Sequence, residues 1–139
     1  MNAPATTADL PTVVIGAGPV GLAAAAHLTA RGLTPLVLEA GPRAGTATRD
    51  WAHVRLFSTW SEVVDPAAEK LLAPTGWTAP DGATYPSGGD WAELYLQPLA
   101  DVLGAKVRDR VFRPDPGPHR AADARRLARS ARGGCVDRP

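Results

Sequence analysis

The chain has 139 residues, a formal net charge of +1 and a single cysteine, Cys135. That length fits one domain, and two domains of about 100–200 residues each would exceed it. The balanced charge gives no electrostatic footprint for nucleic acid, the lone cysteine excludes an internal disulfide or a cysteine-built metal cluster, and no run approaches the roughly 18 apolar residues that a membrane span requires.

Residues 1–10 read as a disordered lead. They carry neither the basic nor the apolar region of a secretory signal, so a cytoplasmic protein with no membrane partner is expected. Thr12-Val13-Val14-Ile15 is a β-branched run stopped by Gly16, which reads as a fully buried strand. Pro19 to Arg31 reads as a helix. Pro19 suits its first turn, where a missing N–H costs nothing, Leu22, Ala25, Ala26 and Leu28 supply the apolar stripe, and Gly32 stops it. Pro35 to Leu38 reads as a second buried strand ending at Glu39. Gly41 to Thr48 reads as a loop, and Trp51 to Trp60 shows no regular pattern beyond a short extended piece around Val54 to Phe57.

Asp65-Pro66 predicts a helix start, with Asp65 as N-cap and Pro66 at the first helical position, running to about Leu72. Ala73 to Gly89 reads as a long loop. Asp90-Trp91-Ala92-Glu93 resembles a capping box that opens a helix to about Leu103, stopped by Gly104, with Pro98 implying a kink or break. Lys106 to Phe112 reads as a third strand. The fold class is therefore α/β, a βαβ unit with a small parallel sheet and extra helices. Residues 11–112 are expected to form a partial domain. Residues 113–139 hold seven arginines, three aspartates and only Leu127 and Val136 as large apolar residues, so a basic, disordered tail is expected. A chain that leaves its ancestral reading frame near residue 110 would give the same composition.

The chemistry-bearing motif is Gly16-Ala17-Gly18-Pro19-Val20-Gly21, placed between a strand and a helix as the dinucleotide fingerprint requires. Gly16 permits the turn out of the strand, Gly18 lets a pyrophosphate approach the backbone, and Gly21 lets the helix pack closely. The helix amino end then offers free N–H groups and a favourable dipole to the phosphates. Glu39, 18 residues after Gly21, ends the second strand. Its carboxylate suits ribose hydroxyls and repels a 2′-phosphate.

The motif's early place in the chain, Pro19 within it, and the Gly41-Pro42-Arg43-Ala44-Gly45-Thr46 segment after Glu39 resemble the two-dinucleotide-binding-domain flavoproteins, the FAD-dependent oxidoreductases and flavin monooxygenases. The resemblance covers residues 12–46 and implies a Rossmann-like FAD/NAD(P)-binding βαβ unit, with FAD as cofactor and NAD(P)H as a co-substrate of full-length members. It implies that Glu39 holds the FAD ribose, that Arg43 lies near the adenosine or pyrophosphate, that Gly45 lets the chain pass the flavin, and that the third strand, at Val107, lies beside the adenine. Ala44-Gly45 departs from the family's Gly-Gly, and no second glycine-rich nucleotide motif is present. The expected cofactor-binding residues are Gly16, Gly18, Pro19, Gly21, Glu39, Arg43 and Gly45. The expected function is the FAD-binding portion of a flavin-dependent oxidoreductase acting on an unidentified small molecule and not active alone. An NAD-binding dehydrogenase fragment or a non-enzymatic nucleotide-binding module are the alternatives.

No residue is assigned to catalysis and no metal site is expected. His27 reads as a surface or packed histidine, and His53 lacks a partner at a meaningful spacing. Trp51, Phe57 and Trp60 fit a core better than a pocket wall, and Arg55 reads as solvent-exposed. Ser58 sits in no nucleophile motif.

Overall fold

The computed structural model describes residues 10–109. Three parallel strands form one sheet in the order β1-β2-β3: β1 is Thr12–Ile15, β2 is Pro35–Leu38 and β3 is Val107–Arg108. Thr12 stands opposite Pro35 and Ile15 opposite Leu38, while Val37 and Leu38 stand opposite Val107 and Arg108. The third strand begins at Val107, one residue after its expected start, and Asp109 already lies beyond it, while the expected continuation over residues 110–112 lies outside the described residues, as do residues 1–9 and the tail.

Helix α1 (Pro19–Ala30) joins β1 to β2 and buries Leu22, Ala25 and Ala26, three of the four residues of the expected stripe. The small alanines let it approach both β2 and α4 (Pro66–Leu72). Asp65 caps α4 as expected, its carboxylate accepting the N–H groups of Ala67 at 2.8 Å and Ala68 at 3.1 Å. His27 of α1 reaches the same carboxylate at 3.0 Å. Arg31 lies 3.3 Å from His27 Nδ1, which assigns the proton to Nε2 and makes the imidazole the donor to Asp65. His27 is therefore a strut between α1 and α4. Partial burial pushes the Asp65 carboxyl up, but the bonds from Ala68, His27 and Ala67 outweigh it and hold the group below its ordinary value. The Asp65 N–H donates to the Tyr95 hydroxyl at 3.0 Å. Burial raises the Tyr95 phenol above its usual pKa, and the Asp65 bond opposes the shift.

The long carboxy-terminal helix opens earlier than the sequence suggests. Its cap is Ser87, which exchanges bonds with Asp90, and α5 begins at Gly88 (Gly88–Trp91). Two glycines stand in that first turn because the neighbouring chain lies against them: a Cβ on Gly88 would overlap the Trp51 ring, and one on Gly89 would sit 3.2 Å from the Ala52 Cβ. The helix passes through a π-helical stretch (Ala92–Leu96) into α6 (Gln97–Leu103), where Gly104 ends it. Pro98 accounts for the stretch, because it has no N–H to give the Leu94 carbonyl four residues back. That carbonyl instead accepts the Trp77 indole N–H at 2.8 Å. The kink expected at Pro98 is thus a wider helical turn closed by a tryptophan from another segment.

Two short helices were not legible in the sequence. Helix α2 (Thr46–Arg49) occupies part of the expected loop, and α3 (Trp60–Val63) opens on a capping box of Thr59 and Glu62. Between them Arg55 pairs with Ser87 as a single antiparallel bridge, so the extended piece near Val54 is real but minimal.

The core gathers Leu22, Val37, Trp60, Leu72, Tyr95, Leu96, Leu99 and Leu103 between the sheet and the helices. One expectation fails. β1 is not fully buried: Val13 is 51% and Ile15 79% exposed. Val14 faces the core, and strand alternation turns its neighbours to the other face, which no element covers among the described residues.

Candidate nucleotide-binding site

The glycine motif leaves β1 through Gly16, whose φ of +95° suits glycine and few other residues. The Gly16 N–H closes on the Leu38 carbonyl at 2.7 Å, which seats the turn at the ends of both strands. Gly21 is required by packing, because a Cβ there would overlap the Gly16 carbonyl. Gly18 is required by neither packing nor backbone. Its φ of −83° is open to any residue, and an added Cβ would meet nothing within 4 Å. A demand for glycine at this point is therefore a demand made from outside the protein.

Gly18 is also the N-cap of α1, and no side chain caps that helix end. Pro19 has no N–H, so the first-turn donors of Val20 and Gly21 face outward beside a Val20 side chain that is 84% exposed. An anion at such an end gains about 0.3–1 kcal/mol, more where partly buried.

The peptide of Ala17 is fastened on both sides. Its N–H donates to Glu39 Oε2 at 2.7 Å, and its carbonyl accepts the Gly45 N–H at 2.9 Å. Glu39 also accepts the Gly41 N–H through Oε1 at 2.8 Å. The carboxylate thus ties the turn after β1 to the turn after β2 with one bond per oxygen. Each oxygen retains capacity for a further donor such as a sugar hydroxyl.

Gly45 adopts φ +67° with Ala44 buried before it, so the Ala-Gly departure still forms the turn. A Cβ at Gly45 would stand 3.0 Å from Leu96 and 3.4 Å from Ala92, both in the π-helical stretch. Arg43 is exposed, with its guanidinium 3.8 Å from Glu93 and free to swing. Arg49, which sequence reasoning missed, is mostly buried and pairs with the same Glu93. Its Nε–H donates to the Ala44 carbonyl at 3.2 Å, so it anchors the Gly41–Gly45 loop to the π-helical stretch. Its partner lies 44 residues away, and no local signal announces it.

A cleft of about 350 Å³ opens beyond Arg43 and Ala44, bounded by α6, Val107 and Asp109. Glu39 is tied to β3 through the backbone, its N–H donating to the Arg108 carbonyl at 2.8 Å. The six motif and loop residues Gly16, Gly18, Pro19, Gly21, Glu39 and Gly45 thus meet at the carboxyl ends of β1 and β2, with Arg43 at the rim toward β3.

The remaining candidates lie elsewhere. Trp60 is 4% exposed in the core, Trp51 packs on Gly88, and Phe57 is fully exposed, against the expectation that it is core. Arg55 is exposed as expected and donates to the Tyr85 carbonyl at 2.8 Å. His53 is exposed. Among the described residues no group of three His, Cys, Asp or Glu is placed to hold a metal ion, and no helix is long and apolar enough to cross a membrane.

Comparison with known proteins agrees with this geometry. Residues 14–76 match the family model of the NAD(P)-binding Rossmann-like domain. The chain is 33% identical over 124 residues to a putrescine oxidase of Kocuria rosea, a match covering 87% of this chain and 20% of that protein. Its fold is similar to the crystal structure of OTEMO in complex with FAD and NADP, with a TM-score of 0.55 and 22% identity over 76% of this chain and 20% of that one. The chain spans about a fifth of the length of either protein. By match and by geometry alike, the three parallel strands and their helices form a Rossmann-like α/β fold.

Proposed function

We propose that the chain binds FAD through its adenosine and diphosphate half and is the FAD-binding portion of a flavin-dependent oxidoreductase. The observation that carries this reading is Gly18: it is free of backbone and packing demands, yet it stands as glycine at an uncapped helix end. In this reading the Val20 and Gly21 N–H groups hold the diphosphate, and Glu39 accepts the ribose hydroxyls while keeping the Ala17 turn closed. Gly16, Gly21 and Gly45 shape the two turns, Pro19 fixes the start of α1 without consuming a phosphate donor, and Arg43 swings from Glu93 to a phosphate oxygen. The flavin, when bound, would supply the redox chemistry, and this chain would supply binding and orientation. The solved complex of OTEMO contains FAD as well as NADP, and the matched relative is named an oxidase, which is in keeping with a flavin here.

The chain's own site ends with the nucleotide. No described residue is placed to act on a substrate, so the oxidoreductase activity belongs to a longer assembly, with NAD(P)H and a small molecule as its reactants. A cytoplasmic location goes with the reading and is tested by cell fractionation. The direct test of the cofactor is competition: FAD, ADP and NAD⁺ titrated into the purified chain. Binding of FAD and ADP well ahead of NAD⁺ supports the proposal. Preference for NAD⁺ replaces it with a dehydrogenase fragment, the reading that the name of the matched family model favours.

A further inference from the structure

β1 is an edge strand of the sheet, and its free side has a specific pattern. The N–H groups of Thr12 and Gly16 turn toward β2, donating to the Thr34 carbonyl at 2.8 Å and the Leu38 carbonyl at 2.7 Å. Strand alternation then turns the N–H and C=O of Val13 and Ile15 the other way, where no strand meets them among the described residues. Val13 and Ile15 are also the strand's two exposed large apolar residues. Open edges are ordinarily blunted by a lysine, a proline or a bulge. None occurs within Thr12-Val13-Val14-Ile15, and residues 10–26 hold no charged side chain at all.

We infer that two copies of this chain associate through β1, antiparallel about a two-fold axis at Val14, into one continuous sheet. The edge is complementary to itself. With the strand reversed about Val14, Val13 of one copy stands opposite Ile15 of the other, and each such pair exchanges both of its backbone bonds. The paired side chains are β-branched, lie on the same uncovered face and shield each other from water. The reversal also brings Leu10, just before one strand, to the Val20 end of the other, and both of these are exposed apolar residues. A two-fold axis sets one patch against its own copy, so a charge on it would meet the like charge, and this edge carries none. The two glycine turns come out at opposite ends of the joined strands.

The pairing stands apart from the nucleotide reading and is tested on the full chain by sedimentation equilibrium without nucleotide. The unaltered chain is expected to double in mass as its concentration rises. Val13→Lys with Ile15→Lys sets like charges opposite each other across the axis and is expected to give a monomer, as is Val13→Glu with Ile15→Glu. An equimolar mixture of the two charged variants is expected to regain the doubled mass, because lysine then stands opposite glutamate. Circular dichroism checks that each variant is folded. A second arm leaves the edge uncharged: Val14→Cys in a Cys135→Ser background is expected to form an intermolecular disulfide on mild oxidation, because directly opposed residues of a non-hydrogen-bonded pair stand about 4.5 Å apart, within reach of that bond. An unaltered chain that stays monomeric, a doubled mass that both charged variants keep, or charged variants that remain apart when mixed each overturns the pairing, as does failure of Val14→Cys to cross-link.

Discussion

Glu39 accepts the Ala17 N–H at 2.7 Å across 22 residues of chain, so the carboxylate at the end of β2 sets the shape of the turn that ends β1. A group that serves both the turn and the ligand predicts a split between substitutions. Glu39→Gln keeps one acceptor oxygen and retains most of the fold, but it places an amide against one of the two N–H donors. Glu39→Ala removes both bonds. FAD affinity is expected to fall by about 1.5–3 kcal/mol in Glu39→Ala, the range for hydrogen bonds to a charged group. Fluorescence titration with FAD measures the loss, and unaltered affinity would exclude Glu39 from the site.

Gly21 is fixed by contact with the Gly16 carbonyl, so Gly21→Ala must move helix α1 off the turn. The expected cost is about 1–3 kcal/mol of stability, as for other overpacked positions. Urea unfolding followed by circular dichroism measures it. A variant as stable as the parent would mean that α1 does not sit where the structure puts it.

The Trp77 indole and Pro98 form a second testable pair. Trp77→Phe leaves the Leu94 carbonyl without its donor and is expected to cost about 1 kcal/mol. Pro98→Ala restores a backbone N–H that reaches the same carbonyl. In that background Trp77→Phe is expected to cost measurably less, and a double-mutant cycle reads the coupling. Equal costs in both backgrounds would dissociate the tryptophan from the π-helical stretch.

Acid should loosen the helix starts. The Thr59 N–H and hydroxyl hold the Glu62 carboxyl below its ordinary 4.5, and the Ser87 hydroxyl and N–H hold Asp90 below 3.8. Asp65 is also held below 3.8, despite the burial that pushes it up. A depressed folded-state value means that the unfolded chain binds protons first as pH falls. The stabilisation is complete above the ordinary values and is lost as pH drops through the lower, folded ones. Melting temperature is therefore expected to be flat at neutral pH and to decline below about pH 4.5. Asp65→Asn should shrink that decline. A decline unaltered by the substitution would remove Asp65 from the account.

The glycine motif, β2 and the Asp65-Pro66 helix start were legible because each is written in adjacent residues. Gly16 announces a positive φ, and Pro66 behind Asp65 announces a first turn. The sites that were not legible depend on contacts distant in sequence. Gly88 and Gly89 read as loop, yet they open a helix because Trp51 and Ala52 press against them. Arg49 carried no signal because Glu93 reaches it only after folding. Helices α2 and α3 have four residues each, too short to show a period. The apolar run of β1 predicts burial on both faces, but a strand's sequence does not say whether its second face is covered.

The most direct measurement is FAD titration of the Gly18→Val variant beside the unaltered chain, with the melting temperature of each. Backbone and packing at Gly18 both accept a side chain, so the variant should melt as the parent does while its branched side chain occupies the path of the diphosphate and abolishes FAD binding. FAD bound equally by the two proteins would contradict the placement of the diphosphate on α1, and with it the functional account.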